Sequence, residues 1–446
     1  MSAPSLPMTE KLAQCLGALC AQPTGTGQLD DLRAGAEVLA AQLRGIGMHV
    51  RAVPTAGAPV VVAQLAGRSS RTLLLYHHYD TSPPGPWREW SHEPFQLAER
   101  AGALYARGVV AGKGPLAAHI QALHAIQLAE GGLPCGVVII AEGHGMSGSQ
   151  HLAEALMEHP DLIRADACLA SQGERDGQGA PLCYSGAKGF LQVRLHARGG
   201  SYPLPSGMAS ILRNPLWRIA WALGCIKGDD EDIRIAGFYD SVEGPTRAEN
   251  AQLRQITIDE AGRLKAWQSS EFLFGMGGAA LVRAESTLPT CNLSAITCDP
   301  SGDVALIPAS ATAILDFQLV PNQQPEEILG MLKSHLAESG FSDVALERMP
   351  GGYPPAHTPP DTPFVQLVSD AGAAVYGAPL STVPAGPLTL PLAILAAHLG
   401  VPYATVGLNR SDSAVHGPDE RVLVDDLARH GLLLGELLAA FGREPS

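Results

Sequence analysis

Two neighbouring histidines and an aspartate end a short apolar run near residue 75. The run spans Leu73 to Tyr76, and its length and composition suit a buried strand. His77, His78 and Asp80 follow it, before a loop rich in Pro and Gly. The end of a central strand is a frequent place for a metal-ligating imidazole, which a nearby carboxylate can orient. The pattern therefore predicts either a metal ligand, His78, held by Asp80, or a loop that merely contains two histidines.

Strands and helices alternate around this stretch, which predicts the sheet that would position these side chains. We predict strands at 60–67, 72–76, 136–142 and 166–171, the first two as neighbours, and helices at 8–20, 29–47 and 115–130. Asp30 and Asp31 suit the first turn of the second helix, and Pro115 suits the first position of the third. Strands separated by helices imply an α/β fold with a mixed, mostly parallel sheet flanked by helices.

The sequence changes character after about Lys188. The pattern predicts a half-exposed strand at 190–198 and a helix near 215–224, followed by an irregular, Gly-rich middle. A strand at 311–320, a helix at 324–339 and a strand at 343–349 come after it. A Pro-rich segment at 350–364 then returns the chain to the first region. This succession predicts a second, inserted unit of α+β type.

Composition limits the class of protein. The 446 residues are enough for two hydrophobic cores, and the net charge of -14 argues against nucleic acid or anionic membrane partners. No apolar run approaches twenty residues, and the N-terminus lacks a basic stretch followed by an apolar core. We therefore expect a cytoplasmic protein with neither a signal peptide nor a membrane span.

The eight cysteines are scattered and form no CxxC pair, which is typical of reduced, buried thiols in a chain of this size. Cys291 and Cys298 are open to two interpretations, since they either pack in a core or face a cleft.

The stretch 71–95 resembles the co-catalytic zinc peptidases that include carnosine dipeptidase, carboxypeptidase G, aminoacylase, acetylornithine deacetylase and succinyl-diaminopimelate desuccinylase. Their pattern reads roughly LLLYGHYDVQPP, followed by a Trp and DPF. The similarity continues in the family's order through ALYARGVVAGKG (103–114), AEGHGMSGS (141–149), NPLW (214–217), IAGFYD (235–240), LPTCNLS (288–294), QLVPNQQPEEI (318–328) and HGPDER (416–421). The resemblance implies that His78 is a metal ligand and that Asp80 orients it.

The same resemblance implies a discontinuous catalytic-type domain, 1–187 plus 351–446, interrupted by a lid and dimerisation domain at 188–350. The lid would be a small open sheet with helices on one face. A homodimer and a peptide-like or amino-acid-like small-molecule ligand are the partners it implies.

The family's metal chemistry depends on carboxylates that this sequence lacks. Two zinc ions roughly 3.5–4 Å apart need a bridging carboxylate and further negative ligands to offset their repulsion. The resemblance places the bridging Asp, the general-base Glu, a ligand Glu and a ligand Asp on Ala111, Gly145, Met146 and Gln172. Of the five ligands only His78 and His416 remain, so we expect no two-zinc hydrolysis and either no cofactor or at most one zinc.

Substrate contacts are changed as well. The family's substrate-facing His falls within 201–207, which contains no histidine, its Arg falls on Gln318, and its GGSIP-like segment is GPLTLP at 386–391. Asn292 and Lys113 are kept, and they are the candidates for substrate binding. Asn292 is equally explained as a turn residue.

Three functional interpretations remain open. His144 could join His78 and His416 in a single-zinc site with Asp80 behind it, giving a mononuclear metallopeptidase or amidohydrolase acting on dipeptides or N-acyl amino acids. His144 or His416 could act as acid or base without metal. The third interpretation is a pseudoenzyme that binds its ligand without turnover. Asp80 and His144 are the candidate catalytic residues, and we favour a protein repurposed to bind or transform a peptide-like molecule.

Overall fold

The computed structural model describes residues 10–25, 27–302 and 304–443. Its helices are α1 (Glu10–Cys20), α2 (Leu29–Gly45), α3 (Lys113–Glu130), α4 (Leu152–Glu158), α5 (Pro215–Ile226), α6 (Arg247–Leu253), α7 (Glu260–Trp267), α8 (Gly278–Thr287), α9 (Pro325–Glu338), α10 (Pro363–Tyr376), α11 (Leu392–Leu399) and α12 (Val424–Phe441).

Its strands are β1 (His49–Val53), β2 (Val60–Leu65), β3 (Thr72–His78), β4 (Ala98–Arg100), β5 (Ala103–Tyr105), β6 (Gly136–Glu142), β7 (Ala167–Ala170), β8 (Cys183–Tyr184), β9 (Gly186–Ala187), β10 (Gly189–Arg198), β11 (Leu204–Pro205), β12 (Thr290–Asp299), β13 (Leu306–Ile307), β14 (Ser310–Leu319), β15 (Ala345–Arg348), β16 (Ala356–His357), β17 (Thr382–Val383), β18 (Tyr403–Val406) and β19 (Arg421–Leu423).

The main sheet has the strand order β1-β2-β6-β3-β7-β18-β8-β17. The central strands β6, β3, β7 and β18 run parallel to one another, whereas β1 and β2 continue the sheet in antiparallel fashion. Helix α3 connects β3 to β6, as parallel neighbours require a crossover. The prediction of a mixed, mostly parallel sheet flanked by helices is confirmed.

Both faces of this sheet are covered, because successive side chains of a strand point to opposite sides. In β3, Leu73 and Leu75 pack in the core under α1, α2, α3, α10 and α12. Leu74 and Tyr76 pack in the opposite core with α4 and α11. The strand is therefore apolar from Leu73 to Tyr76, and it places His78, its last residue, at the carboxyl end of the central strands.

A second, antiparallel sheet has the strand order β12-β14-β10-β15. Along β10 and β14 buried and half-buried residues alternate, and the buried ones pack against α5 and α9 in a separate core. The alternation predicted for 190–198 and 311–320 is thus observed, with the helices on one face of the sheet. The division of the chain into domains at 188 and 350 remains a prediction.

Three predictions about these elements were wrong. Strands β2 and β3 are not neighbours, because β6 lies between them and pairs with both. Helix α3 begins at Lys113, so Pro115 is its third residue and not its first. The middle segment, predicted to be irregular, contains α6, α7, α8 and β12. Of the first predicted helix, residues 8 and 9 lie outside the described residues.

The cysteines and the helices bear on two further predictions. All eight cysteines are free thiols, and Cys291 is buried in the core of the second sheet while the half-buried Cys298 packs against it, which favours the packing interpretation. Within 10–25, 27–302 and 304–443, no helix has both the length and the apolar character needed to cross a membrane.

Candidate functional site

A cavity of about 750 Å³ lies at the carboxyl ends of the central parallel strands. Loops that follow β3, β5, β6 and β7 and the turn before β19 form its floor, as is usual for ligand sites of open α/β sheets. These loops bring together six residues that the sequence singled out, namely His78, Ala111, Gly145, Met146, Gln172 and His416.

Asp80 holds His78 as the sequence predicted. The Nδ1 atom of His78 lies 3.1 Å from Oδ1 of Asp80 and 3.0 Å from its backbone carbonyl oxygen. Burial disfavours the imidazolium, but these two contacts outweigh it and raise the pKa of His78. Because Nδ1 faces two acceptors it carries a proton, and Nε2 is buried without a hydrogen-bond partner.

The second oxygen of Asp80 organises the loop after β6. Its Oδ2 accepts a hydrogen bond of 2.8 Å from the backbone N–H of Met146. This contact brings the backbone of Gly145 onto the imidazole, so a Cβ at Gly145 would lie 2.7 Å from Cβ of His78. Position 145 therefore has no room for a side chain in this backbone conformation.

Glu420 fixes the loop that carries Ala111. Its buried carboxylate accepts hydrogen bonds from the guanidinium of Arg107 at 2.9 Å and from the N–H groups of Gly108, Val110 and Ala111. Arg107 also donates to the backbone carbonyl of His416 at 3.2 Å. One buried ion pair thus holds two walls of the cavity together.

Gln172 occupies the remaining wall. Its backbone N–H donates to the hydroxyl of Thr405, which in turn donates to the carbonyl of Gln172 at 2.8 Å. The residue borders the cavity, and its side-chain oxygen Oε1 is buried without a hydrogen-bond partner.

The side chains of this cavity do not fit the two-zinc centre that the resemblance implies. Four of its positions hold Ala111, Gly145, Met146 and Gln172, which supply no carboxylate. Over the described ranges, no group of three or more His, Cys, Asp or Glu side chains is placed to hold a metal ion. His78 and His416 both border the cavity, and the ring of His416 is fixed by Ser82 at 3.1 Å from Nδ1.

His144 does not join these two histidines. Its Nε2 accepts a hydrogen bond of 2.9 Å from the N–H of Ala58, and its Nδ1 lies 3.2 Å from the amide nitrogen of Gln150. Its ring packs edge-on against His151. Burial and that neighbour lower the pKa of His144. The ring is thus engaged with the loop before β2 and does not border the cavity.

The two residues predicted to bind substrate also lie elsewhere. The ammonium of Lys113 is buried and donates to the carbonyl of Gln22 at 2.6 Å, and burial lowers its pKa to about 8. Asn292 is exposed on the second sheet, where its amide donates to Asp316 at 2.9 Å. Neither borders the cavity within this single chain.

Glu142 is a polar residue of the site that the sequence reasoning missed. It ends the buried strand β6 and accepts a hydrogen bond of 2.6 Å from the hydroxyl of Tyr76, which borders the cavity. Burial raises its pKa to about 7, with Asp80 acting in the same direction. In the sequence, the signal for Glu142 was a carboxylate at the end of an otherwise apolar strand.

His77 points away from His78, into a buried cluster of three imidazoles. Its Nε2 lies 3.1 Å from Nδ1 of His119, whose ring stacks on His430 at 4.7 Å between centroids. Burial lowers the pKa of His77 and of His430 to about 3, so the cluster is neutral. This histidine is therefore a packing residue.

Helix α7 forms the outer wall of the cavity. Arg263, which is buried, pairs with Glu285 at 2.8 Å and with Glu174, which follows Gln172 by two residues. The neighbouring Trp267 borders the cavity. Two carboxylates and one guanidinium thus attach α7 to the loop after β7.

The chain matches known proteins over most of its length. The model of Peptidase family M20/M25/M40 matches residues 74–440. The chain is 24% identical to the Cysteinylglycine-S-conjugate dipeptidase of Corynebacterium striatum, over 92% of this chain and 90% of that protein. It is 25% identical to the Beta-Ala-His dipeptidase of Mus musculus over 69% of this chain, but this match spans only 64% of the mouse protein.

A solved structure agrees with these matches. The crystal structure of a M20 family metallo-carboxypeptidase from Sulfolobus solfataricus superposes with a TM-score of 0.89 at 28% identity. The superposition covers 98% of this chain and 100% of that one. The fold described above is therefore the fold of that peptidase.

We expect Gly145→Ala to destabilise the protein by about 1–3 kcal/mol, because the new methyl group would overlap His78. Gly224→Ala is the matched control, since it lies inside α5 with no atom within 4 Å of its built Cβ. That control should be neutral or slightly stabilising. Urea unfolding of both variants checks this, and equal effects would contradict the close packing at Gly145.

We expect Glu142→Gln to alter the pH dependence of stability. Between pH 4.5 and about 7 the folded protein keeps a proton on Glu142 that the unfolded chain releases. Wild type should therefore lose stability relative to the variant as pH rises through this window, by about 3 kcal/mol in total. Urea unfolding of both proteins at several pH values measures the difference, and a difference independent of pH would refute the shift.

Proposed function

The chain belongs to peptidase family M20/M25/M40, and from this membership we propose that its cavity binds a peptide-like or amino-acid-like small molecule. The single observation that carries the proposal is the cavity of about 750 Å³, bordered by the oriented imidazole of His78. Apolar side chains such as Phe190, Tyr353 and Leu390 border the same space, and a few polar atoms converge on it. This combination is typical of small-molecule sites.

We further propose that the protein does not hydrolyse its ligand by a two-zinc mechanism. The argument is the donor set, because two close dications need carboxylates at positions where this chain has Ala111, Met146 and Gln172. The general-base position is Gly145, whose backbone packs on His78. The protein would then bind its ligand, or transform it by residues other than the family's base.

Hydrolysis of dipeptides or N-acyl amino acids with one zinc is the second candidate function. The names of the relatives favour it, since both relatives described above are called dipeptidases. His78 and His416 are the two imidazoles available at the cavity, and a zinc ion there would polarise an amide carbonyl. His144 is engaged with Ala58, so this candidate requires a third ligand from elsewhere.

Metal content and turnover distinguish the two candidates. Untagged protein is soaked in excess zinc, freed of unbound metal and measured by plasma mass spectrometry, beside His416→Ala and the control His398→Ala from α11. β-Alanyl-histidine and cysteinyl-glycine are then tested as substrates with zinc present. We expect well below one zinc per chain and no cleavage above the blank.

Other outcomes of this experiment are equally informative. About one zinc per chain, lost only in His416→Ala and accompanied by cleavage, would establish the single-zinc hydrolase. Two zinc ions with dipeptide cleavage would overturn the proposal altogether.

We also propose that the protein is a homodimer that pairs through the second sheet and its helices. Trp217 and Trp221 support this, because they stack on each other at 5.9 Å on α5 while 60% and 57% exposed. Exposed neighbouring tryptophans are frequent at protein interfaces. Light scattering should give twice the mass of one chain, and Trp221→Glu should shift the protein towards monomer. A wild-type mass equal to one chain would disprove the dimer.

A further inference from the structure

Trp267 presents a large apolar surface at the rim of the cavity. It is the last residue of α7 and borders the cavity, yet it is 56% exposed. Leu273 and Phe274, in the turn that follows α7, are exposed as well, at 51% and 71%. Exposed apolar side chains grouped beside a ligand cavity indicate an interaction site.

The indole of Trp267 is held in place by its neighbours. The ring of Phe272 meets it edge-on, with 6.1 Å between the ring centres and planes at 90°. The guanidinium of Arg263 lies 5.9 Å from the centre of the indole, within the range of a cation–π contact. That guanidinium is buried and paired with Glu174 and Glu285. The indole is therefore a positioned wall of the cavity.

The start of α7 is anchored to two loops of the main sheet. Asp259, the residue before α7, accepts a hydrogen bond of 2.9 Å from the hydroxyl of Ser411, which borders the cavity. The carbonyl of Thr257 accepts one of 2.8 Å from the N–H of Gly177. Together with the pairs of Arg263, these bonds keep the whole helix, and hence Trp267, beside the cavity.

The chemistry of this wall favours an aromatic group of the ligand. A ligand group that covers the indole removes apolar surface of both partners from water, which is the main source of affinity for such contacts. An aromatic ring gains more than an aliphatic group of similar area, because two rings also attract each other through their quadrupoles. Small or polar ligand groups gain little at this position.

We infer that Trp267 forms a subsite for an aromatic side chain of the ligand. The inference rests on the proposed function and deepens it, because it selects peptide-like molecules that carry a Phe, Tyr or Trp side chain over those with small side chains. Trp267 is then a specificity-determining residue that contacts the ligand directly.

Calorimetric titration with three dipeptides tests the inference. L-alanyl-L-phenylalanine and L-phenylalanyl-L-alanine offer the aromatic group at either residue, and L-alanyl-L-alanine lacks it. We expect at least one of the two aromatic dipeptides to bind wild type about tenfold more tightly than L-alanyl-L-alanine, since burial of a phenyl group against the indole stabilises only their complexes.

Variants at Trp267 make the test specific. Trp267→Ala should abolish most of this preference and leave the affinity for L-alanyl-L-alanine unchanged, whereas Trp267→Phe should keep most of it. Trp87→Ala is the matched control, because Trp87 is 55% exposed and lies in the loop after β3. That variant should change none of the three affinities.

Tryptophan fluorescence gives a second measurement that a purely structural role would not affect. Binding of the preferred dipeptide covers the exposed indole of Trp267, so it should change the emission of wild type and of Trp87→Ala. The same titration should leave the emission of Trp267→Phe unchanged at saturation.

The outcomes separate this inference from the proposed function. Equal affinities of wild type for the three dipeptides, or a Trp267→Ala variant that binds all three equally weakly, would overturn the aromatic subsite while leaving peptide binding intact. Failure of wild type to bind any of them would overturn the inference together with the proposed function.

Discussion

The ion pair between Arg107 and Glu420 is the interaction on which the geometry of the cavity depends. Glu420 lies just before β19 and accepts hydrogen bonds from Arg107 and from three N–H groups ending at Ala111. Arg107 in turn reaches the carbonyl of His416. Both charges are fully buried, and a buried charge left without its partner costs several kcal/mol. The loop before α3 and the turn at His416 are therefore held as one unit.

The buried carboxylates that support the cavity do not depend on a metal ion. Asp80, Glu142 and Glu420 each have hydrogen-bond donors within the chain, so their burial needs no metal ion. Carboxylates at the positions of Ala111 and Met146 would face the cavity, where only a bound cation could compensate them. If this chain binds no metal pair, as we propose, losing those side chains would stabilise it, and the supports around them would be kept.

The sequence could predict what depends on local pattern, and it failed where distant segments meet. The apolar run before His78 located the strand and its polar end, because burial and periodicity act over a few residues. The direction of the ring of His144 depends on Ala58, which is distant in the chain, and the position of Lys113 depends on the N-terminal loop at Gln22. The local motif around each of these two residues does not determine where its side chain points. Strand order failed for a similar reason, since β6 enters between strands that are adjacent in sequence.

The clamp of Arg263 on Glu174 and Glu285 holds the wall of the cavity that α7 forms. Helix α7 cannot swing away from the loop after β7 without separating three charges, one of which is buried. The wall of the cavity at α7 is therefore fixed by charge pairing, and the position of α7 sets the depth of the cavity on that side.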